Sequence, residues 1–217
     1  MKKRLLAGLL ALCIALVLLA GCSSGDGLRG PADAEEISAF EQIQRMLFDM
    51  QSYRAIATVE FRSNKGVNVY ETVQHARITG EYRIEVTAPE AVAGSVTAND
   101  GRQILQFNNR VNGRVSLQVQ ETPERSELFL TSFIHNYRQS QEVSVSVADM
   151  DEGVRTVLEA EVPGNHPYLS LARLWVDNTT LLPVKLIIFD ADGAERVVVT
   201  YHVFEYNVVL EDGLFSV

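Results

Sequence analysis

The stretch Tyr53-Arg54-Ala55-Ile56-Ala57-Thr58-Val59-Glu60-Phe61-Arg62 decides the fold of this chain. Apolar side chains occupy every odd-numbered position, and mostly polar or charged side chains occupy the even-numbered ones. A period of two is typical of a β-strand with one buried face and one solvated face. The sequence therefore predicts a β-sheet as the main structural element.

The same pattern recurs along the rest of the chain. Asn64-Lys65-Gly66 is a turn, after which Val67–Ile78 can return antiparallel to the first strand. Further strands are predicted at 82–88, 94–98, 103–107, 115–119, 143–147, 154–162, 169–177, 184–190 and 195–206. This makes eleven strands, mostly connected in sequential order, and a sheet of this size tends to curl. We therefore expect helices to cover its concave face.

Two segments have a helical period instead. In Asp33–Met50, the side chains of Ile43 and Leu47 lie on one apolar stripe, and acidic residues precede it where the helix dipole favours them. The second helix is predicted at 123–137. Its aromatic side chains fall four residues apart at Phe129, Phe133 and Tyr137. These three are our candidate contacts for a hydrophobic ligand or a partner.

The N-terminus has the layout of a secretory signal. Three cations in Met1–Arg4 precede an uncharged apolar run of 16 residues, Leu5–Ala20, which is shorter than the roughly 20 residues that span a membrane. The run ends in Leu19-Ala20-Gly21-Cys22, which resembles the lipobox of bacterial lipoproteins. A chance cysteine after a plain signal peptide is the alternative.

The lipobox resemblance implies cleavage after Gly21 and attachment of diacylglycerol to Cys22, which leaves residues 1–21 as the signal peptide. The Gly-rich segment 22–32 is predicted to be a flexible tether, and residues 33–217 are predicted to be one domain. We therefore expect the mature protein to be lipid-anchored on the extracytoplasmic face of the membrane.

Composition argues against several classes of function. Loss of the three leader cations lowers the formal net charge from −9 to −12, and an acidic surface without Lys/Arg clusters disfavours binding to nucleic acid. The other cysteine, Cys13, leaves with the leader, so we expect no disulfide and no thiol nucleophile. The four histidines are scattered singly, and the sequence indicates no metal, cofactor or catalytic site.

The segment from Leu174 to Leu186 reads Leu-Trp-Val-Asp, a short turn that ends in Leu-Pro, and a returning strand with Lys. It resembles the signature of the lipoprotein-carrier superfamily that includes LolA, LolB and RseB. The resemblance implies an unclosed, eleven-stranded antiparallel half-barrel whose hollow is covered by helices. On this two-sided strand we expect Trp175 to fill core volume, so that truncation to Ala would cost roughly 3–5 kcal/mol.

A resemblance over almost the whole mature chain rests on five short motifs in order. They are 64–70, 82–89, 133–137, 161–165 and 204–207, which read NKGVNVY, YRIEVTAP, FIHNY, EVPGN and FEYN. They are similar to the germination lipoprotein GerS group of spore-forming Firmicutes. The resemblance implies a non-enzymatic lipoprotein of the spore envelope that binds and supports a cortex-modifying N-acetylmuramoyl-L-alanine amidase.

Three classes of function remain open. The first is a membrane-tethered protein that binds a partner in the envelope. The second is a carrier or receptor that holds acyl chains in the hollow of the half-barrel, and a hydrolase is the third. We expect the aromatic helix to pack the hollow shut, which favours the first class.

The lipobox generates the first testable prediction. Cys22→Ala should abolish incorporation of radiolabelled fatty acid, because it removes the thiol to which the lipid is attached. The precursor should also stay uncleaved by the lipoprotein-specific peptidase. Label that persists in the variant would show that Cys22 is not the attachment site.

Overall fold

One antiparallel sheet forms the body of the protein. The computed structural model describes residues 27–108, 110, 117–119, 126–140 and 143–216, without the side chains of 117–119 and 165. The predicted signal peptide, Gly21 and Cys22 lie outside these residues. The strands are β1 (Leu28–Arg29), β2 (Ser52–Ser63), β3 (Gly66–Arg77), β4 (Tyr82–Ala88), β5 (Ser95–Asn99), β6 (Ile104–Asn108), β7 (Leu117–Val119), β8 (Val143–Met150), β9 (Gly153–His166), β10 (Leu169–Asp177), β11 (Pro183–Phe189) and β12 (Glu195–Tyr206).

The order of the strands is β1-β8-β9-β10-β11-β12-β2-β3-β4-β5-β6-β7. Two sequential runs, β8 to β12 and β2 to β7, therefore meet where the last strand pairs with β2. Within the described residues the edge strands β1 and β7 do not pair with each other, so the sheet is not closed. The predicted fold class, a mainly β, unclosed half-barrel of about eleven strands, is confirmed, with the two-residue β1 as a twelfth strand.

The alternation in β2 places its apolar side chains on the concave face. Ala55, Ala57 and Val59 are at most 1% exposed, whereas the residues between them face the other side and are half-buried. Strand β3 pairs with β2 along the full length of both strands, from Ser52 opposite Arg77 to Ser63 opposite Gly66. Burial of this one face supplies the hydrophobic free energy that holds the helices on the sheet.

Helix α1 spans Ala34–Asp49, as the sequence predicts. Its N-cap is Asp33, whose carboxylate accepts a hydrogen bond from the backbone N–H of Glu36 at 2.9 Å. The apolar stripe is buried against the sheet, with Ile43 and Leu47 at 1% and 2% exposure. A capped first turn and one buried face are the two ordinary sources of stability for a helix of this length.

Helix α2 spans Leu130–Gln139 and begins later than the predicted 123, since Phe129 has extended backbone dihedrals and takes the N-cap position. Residues 123–125 lie outside the described ranges. Neither α1 nor α2, the helices that the described residues form, is long and apolar enough to cross a membrane.

The predicted tether ends earlier than residue 32. Leu28 and Arg29 form β1, which pairs with Ala148 and Val147 of β8. The composition of 22–32 is that of a linker, but the edge of β8 offers backbone groups for pairing, and Arg29 forms ion pairs with Asp149 on β8 and with Glu36 on α1. Leu28 and Arg29, which composition assigns to the tether, are therefore part of the sheet.

The expectation that Trp175 fills the core is wrong. Leu174 and Val176, its neighbours in β10, are fully buried on the concave side, so Trp175 faces the convex side and is only partly buried. There it lies beside the guanidinium of Arg173, 5.8 Å from the ring centroid. Because both faces of this strand are apolar in sequence, the period of two could not show which face is the core.

This correction gives a paired stability prediction. Leu174→Ala should lower the free energy of unfolding by about 2–5 kcal/mol, because it leaves a cavity in the core. Trp175→Ala should cost less, since the indole is partly in water. Urea unfolding of both variants measures the difference, and a larger loss for Trp175→Ala would contradict the assignment of the two faces.

Candidate functional site

The hollow of the half-barrel is the candidate functional site, and α2 fills part of it. Tyr53, at the start of β2, accepts a hydrogen bond from the backbone N–H of Leu130 at 3.4 Å and donates one to Gln74 on β3 at 3.1 Å. Its side chain is fully buried, and burial raises the pKa of its hydroxyl far above the usual value. The neutral hydroxyl therefore joins the sheet to the first turn of α2.

The three aromatic residues proposed as contacts lie within the core. Phe129 and Phe133 are 1% exposed and Tyr137 is 5% exposed. The ring of Phe129 stacks on Tyr82 of β4 with centroids 4.4 Å apart, and Phe133 stacks on Tyr137 at 5.8 Å. In this arrangement the three side chains hold α2 on the sheet, and none of them lies on an accessible surface.

The two helices also contact each other. The rings of Phe48 at the end of α1 and Tyr137 on α2 are 6.3 Å apart. Arg138 donates a hydrogen bond to the backbone carbonyl of Phe48 at 2.9 Å, and its guanidinium lies 4.9 Å from the Phe48 ring centroid. The helices therefore form one packed unit over their part of the hollow.

A groove remains beside this unit, on the concave face of β2 to β6. Register places its side chains on one face, since Val59 pairs with Tyr70, and Ile84 with Thr97. The groove has a volume of about 460 Å³. Its lining residues are uncharged and mostly apolar or aromatic: Val59, Phe61, Asn68, Tyr70, Thr72, Tyr82, Ile84, Val86, Val92, Ser95, Thr97, Gln106 and Leu128.

The groove differs from the sequence prediction of a hollow that is packed shut. The prediction is correct for the part of the sheet under the helices, where the aromatic residues are buried. It fails over β2 to β6 because α2 has only ten residues, which span about 15 Å at 1.5 Å per residue. Twelve strands at roughly 4.8 Å spacing are much wider than one short helix can cover.

Sequence reasoning missed the groove because each of its strands looked like an ordinary one-sided strand. One signal was available. The alternation of Tyr82, Ile84 and Val86 predicts a further apolar strand face, and the sequence analysis predicts no third amphipathic helix to cover it. An apolar strand face without a predicted cover is the pattern that indicates such a groove.

The described residues contain no cluster of three or more His, Cys, Asp or Glu side chains that could hold a metal ion. His135 on α2 is exposed, and His202 on β12 lies on the convex face, where its Nε2 is 2.7 Å from the hydroxyl of Thr58. The groove itself offers amide and hydroxyl groups among apolar side chains. Such a lining can bind and orient an apolar group, but it supplies no acid or base that titrates near neutral pH.

The Leu-Trp-Val-Asp signature has a structural role in the described residues. The carboxylate of Asp177 accepts hydrogen bonds from the backbone N–H groups of Thr179 and Thr180 at 2.9 and 2.7 Å. It also forms an ion pair with Arg155 of β9. The motif therefore closes the tight turn between β10 and β11, which lies outside the groove.

Glu127 is an unusual carboxyl group just before α2. Its Oε2 accepts a hydrogen bond from the side-chain amide of Asn136 at 2.8 Å, and Asn136 is buried. Burial raises the pKa of Glu127 to about 7, and the hydrogen bond from Asn136 opposes part of that rise. Near neutral pH a change in the protonation state of Glu127 therefore changes the charge just before α2, next to the buried Asn136 of that helix.

Comparison with protein families gives one match that spans nearly the whole chain. The model of the family described as sporulation protein YdcC-like matches residues 2–215. A search among curated proteins finds no match.

Three solved structures illustrate the likeness to known folds. A chain in the structure of the CwlD amidase from Clostridioides difficile in complex with the GerS lipoprotein is 29% identical, with 82% of this chain and 99% of that chain covered and a TM-score of 0.47. A putative outer membrane lipoprotein-sorting protein domain from Vibrio parahaemolyticus is 11% identical, with coverages of 83% and 95% and a TM-score of 0.47. A LolA superfamily protein from Nitrosomonas europaea is 14% identical, with coverages of 83% and 96% and a TM-score of 0.43.

The environment of Glu127 predicts a dependence of stability on pH. The folded-state pKa of about 7 lies above the usual 4.5, so the folded protein binds more protons than the unfolded chain between these values. This contribution is fully present below about pH 4.5 and is lost as the pH rises through about 7, by up to about 3 kcal/mol. Glu127→Gln keeps a hydrogen-bond acceptor and should remove the effect.

Urea unfolding of the wild type and Glu127→Gln at pH 5 and pH 8 measures this difference. Glu41→Gln, at an exposed position on α1, is the matched control and should keep the wild-type dependence. Identical pH dependence in all three proteins would contradict the environment assigned to Glu127.

Proposed function

Because the chain belongs to the YdcC-like family of sporulation proteins, we propose that it is a lipid-anchored, non-enzymatic protein of the cell envelope that binds a partner protein during sporulation. The binding surface that we propose is the concave groove on β2 to β6. The groove is a site for recognition and not for chemistry.

The observation that carries this proposal is the composition of the groove. None of the described residues that line it carries a charge at neutral pH, and aromatic and aliphatic side chains dominate. Interface cores are depleted in charged residues and enriched in aromatic ones, and they bury apolar side chains in well-packed pockets. An apolar side chain of a partner would gain hydrophobic free energy here without leaving a charge unpaired.

The lipid anchor rests on the leader and on Cys22. The family model matches residues 2–215, a range that includes the leader and Cys22. Cleavage after Gly21 would place the protein on the extracytoplasmic face of the membrane. Two acyl chains on Cys22 are sufficient for stable attachment without a basic surface patch.

The partner class that we propose is an N-acetylmuramoyl-L-alanine amidase. The five motifs shared with the GerS group imply this class of enzyme, and a CwlD amidase accompanies GerS in the solved complex. The formal charge of −12 predicted for the mature chain also disfavours nucleic acid as a partner.

A carrier of acyl chains is the second candidate function. The volume of the groove, about 460 Å³, lies within the roughly 300–1,000 Å³ that is usual for small-molecule sites. An uncharged, apolar lining would suit a lipid chain as well as an apolar side chain. The two functions predict different ligands for the isolated protein: an amidase for the first and an acyl chain for the second.

One matched pair of variants tests the proposed surface. Val86 lines the groove on the concave face of β4, and Val73 lies on the convex face of the neighbouring β3, where it pairs with Glu85. Both valines are half-buried. Val86→Asp should weaken binding of the purified amidase from the same organism at least about tenfold, roughly 1.4 kcal/mol, because it places a charge in the apolar contact. Val73→Asp should bind as the wild type does.

Titration calorimetry measures the affinities, and circular dichroism checks that both variants are folded. We expect an environment-sensitive fatty-acid analogue to show no saturable rise in fluorescence with the wild type. Equal amidase affinity for the two variants would remove the groove from the interface. Saturable micromolar binding of the acyl probe that only Val86→Asp abolishes would establish the carrier function instead.

A further inference from the structure

The N-terminal segment is fastened to the edge of the sheet by Arg29. Its guanidinium donates to both carboxylate oxygens of Glu36 on α1, at 2.8 and 2.5 Å. It also donates to both carboxylate oxygens of Asp149 on β8, at 3.1 and 3.2 Å. Bidentate pairs of this kind are the strongest type of surface ion pair. We call β1 together with these contacts the strap.

The carboxylate of Glu36 is held by more than Arg29. It also accepts a hydrogen bond from the backbone N–H of Ala32 at 2.7 Å, which fixes the link between the strap and α1. The hydrogen bonds from Arg29 are the largest cause that lowers the pKa of Glu36 to about 2, so the pair stays charged at neutral pH. The segment from Leu28 to α1 is therefore part of the folded domain.

The register of β1 shows which way the preceding chain leaves. Leu28 pairs with Ala148 and Arg29 with Val147, so the N-terminal end of β1 points toward the turn between β8 and β9. The turn between β10 and β11 and the pairing of Tyr206 with Tyr53 lie at the same end of the sheet. We call this the tether end.

The groove lies toward the opposite end. Phe61 and Asn68 pair two residues from the hairpin turn of β2 and β3, and both line the groove. Val59 is seven residues from Ser52 along β2, which is about 23 Å from the tether end at about 3.3 Å per residue. Tyr82 also lines the groove and pairs with Ala76 at the tether end, but it is buried under Phe129. The accessible part of the groove, with the half-buried Phe61 and the exposed Asn68, therefore lies toward the opposite end of the strands.

Chain length sets the last constraint. Five residues lie between Cys22 and Leu28, and the six Cα–Cα steps that join them reach at most about 20 Å. Resting on the lipid anchor of the proposed function, we propose that the strap holds the tether end close to the membrane and presents the groove at the membrane-distal end. A partner in the space beyond the membrane would reach the groove there, whereas acyl chains in the bilayer would not.

Exposed charges at the tether end limit how closely this end can approach the membrane. Asp151 and Glu152, in the turn between β8 and β9, are exposed, and the side chain of Glu152 is 86% exposed. Anionic headgroups repel these carboxylates within a Debye length of about 8–10 Å. The domain should therefore stand off the surface and not lie flat on it.

The experiment compares the height of the tether end above the membrane with the height of the β2–β3 turn. The lipidated full chain is placed on vesicles of phosphatidylethanolamine and phosphatidylglycerol that carry an acceptor dye. The only thiol expected in the mature chain is blocked by lipid, so Glu152→Cys and Lys65→Cys each accept one donor dye, at the tether end and at the β2–β3 turn. Energy transfer should be stronger from position 152, since about twelve residues of strand, roughly 40 Å, separate the two ends.

Arg29→Ala tests the strap directly. Loss of its contacts would lengthen the free tether from five residues to the ten that lie between Cys22 and the N-cap Asp33, and its reach to roughly 35–40 Å. Transfer from position 152 should then fall, and the difference between the two positions should shrink. Arg54→Ala is the matched control, because Arg54 also forms an exposed ion pair, with Glu205, and its side chain is 36% exposed against 39% for Arg29.

The outcomes separate this inference from the proposed function. Vesicle-bound protein with equal transfer from both positions, or with transfer that Arg29→Ala leaves unchanged, would overturn the inference and leave the lipid anchor intact. Protein that does not float with vesicles would overturn the lipid anchor, and this orientation with it. Hydrogen exchange at Leu28 and Arg29 then still reports whether Arg29 holds β1 on the sheet.

Discussion

The pairing of β12 with β2 is the interaction on which the rest of the structure depends. It joins two sequential runs of strands into one sheet and places Val199 opposite Val59 at the centre of the core, where both are at most 1% exposed. The hydrogen-bonded pair Thr58 and His202, which spans this contact, is separated by 144 residues. Such a contact must overcome a large loop-closure entropy, so we expect it to form late and slowly in folding. Without it, neither helix would have a surface wide enough to cover.

The short helices explain how one concave face can serve both stability and the binding that we propose. The aromatic residues of α2 pack on Tyr53 and Tyr82 and close the hollow over their own length. Beyond that length the same apolar face continues as the groove, and neither α1 nor α2 covers it there. Binding surface and core are therefore parts of one continuous face, and the boundary between them is set by where α2 begins and ends.

The proposed roles of the strap and the groove define an orientation of the domain relative to the membrane. The sequence motifs predict a protein of the spore envelope, and membership of a sporulation family confirms the link to sporulation. The proposed orientation adds a physical reason to favour a protein partner, because a groove that faces away from the bilayer meets other envelope proteins before it meets lipid. Arg29 is central to this view, since it holds two carboxylates on two different elements.

The sequence by itself determined every strand except β1 and also the first helix, because periods of two and 3.6 and the Asp33 cap are local properties of the chain. It did not determine which face of a two-sided strand is the core, which is why Trp175 was assigned wrongly. It also could not show that Arg29 lies beside Asp149, 120 residues away, or that β12 pairs with β2. These features, and the groove itself, depend on which elements meet in space, and only the tertiary structure decided that, since pairing partners and helix coverage are long-range properties.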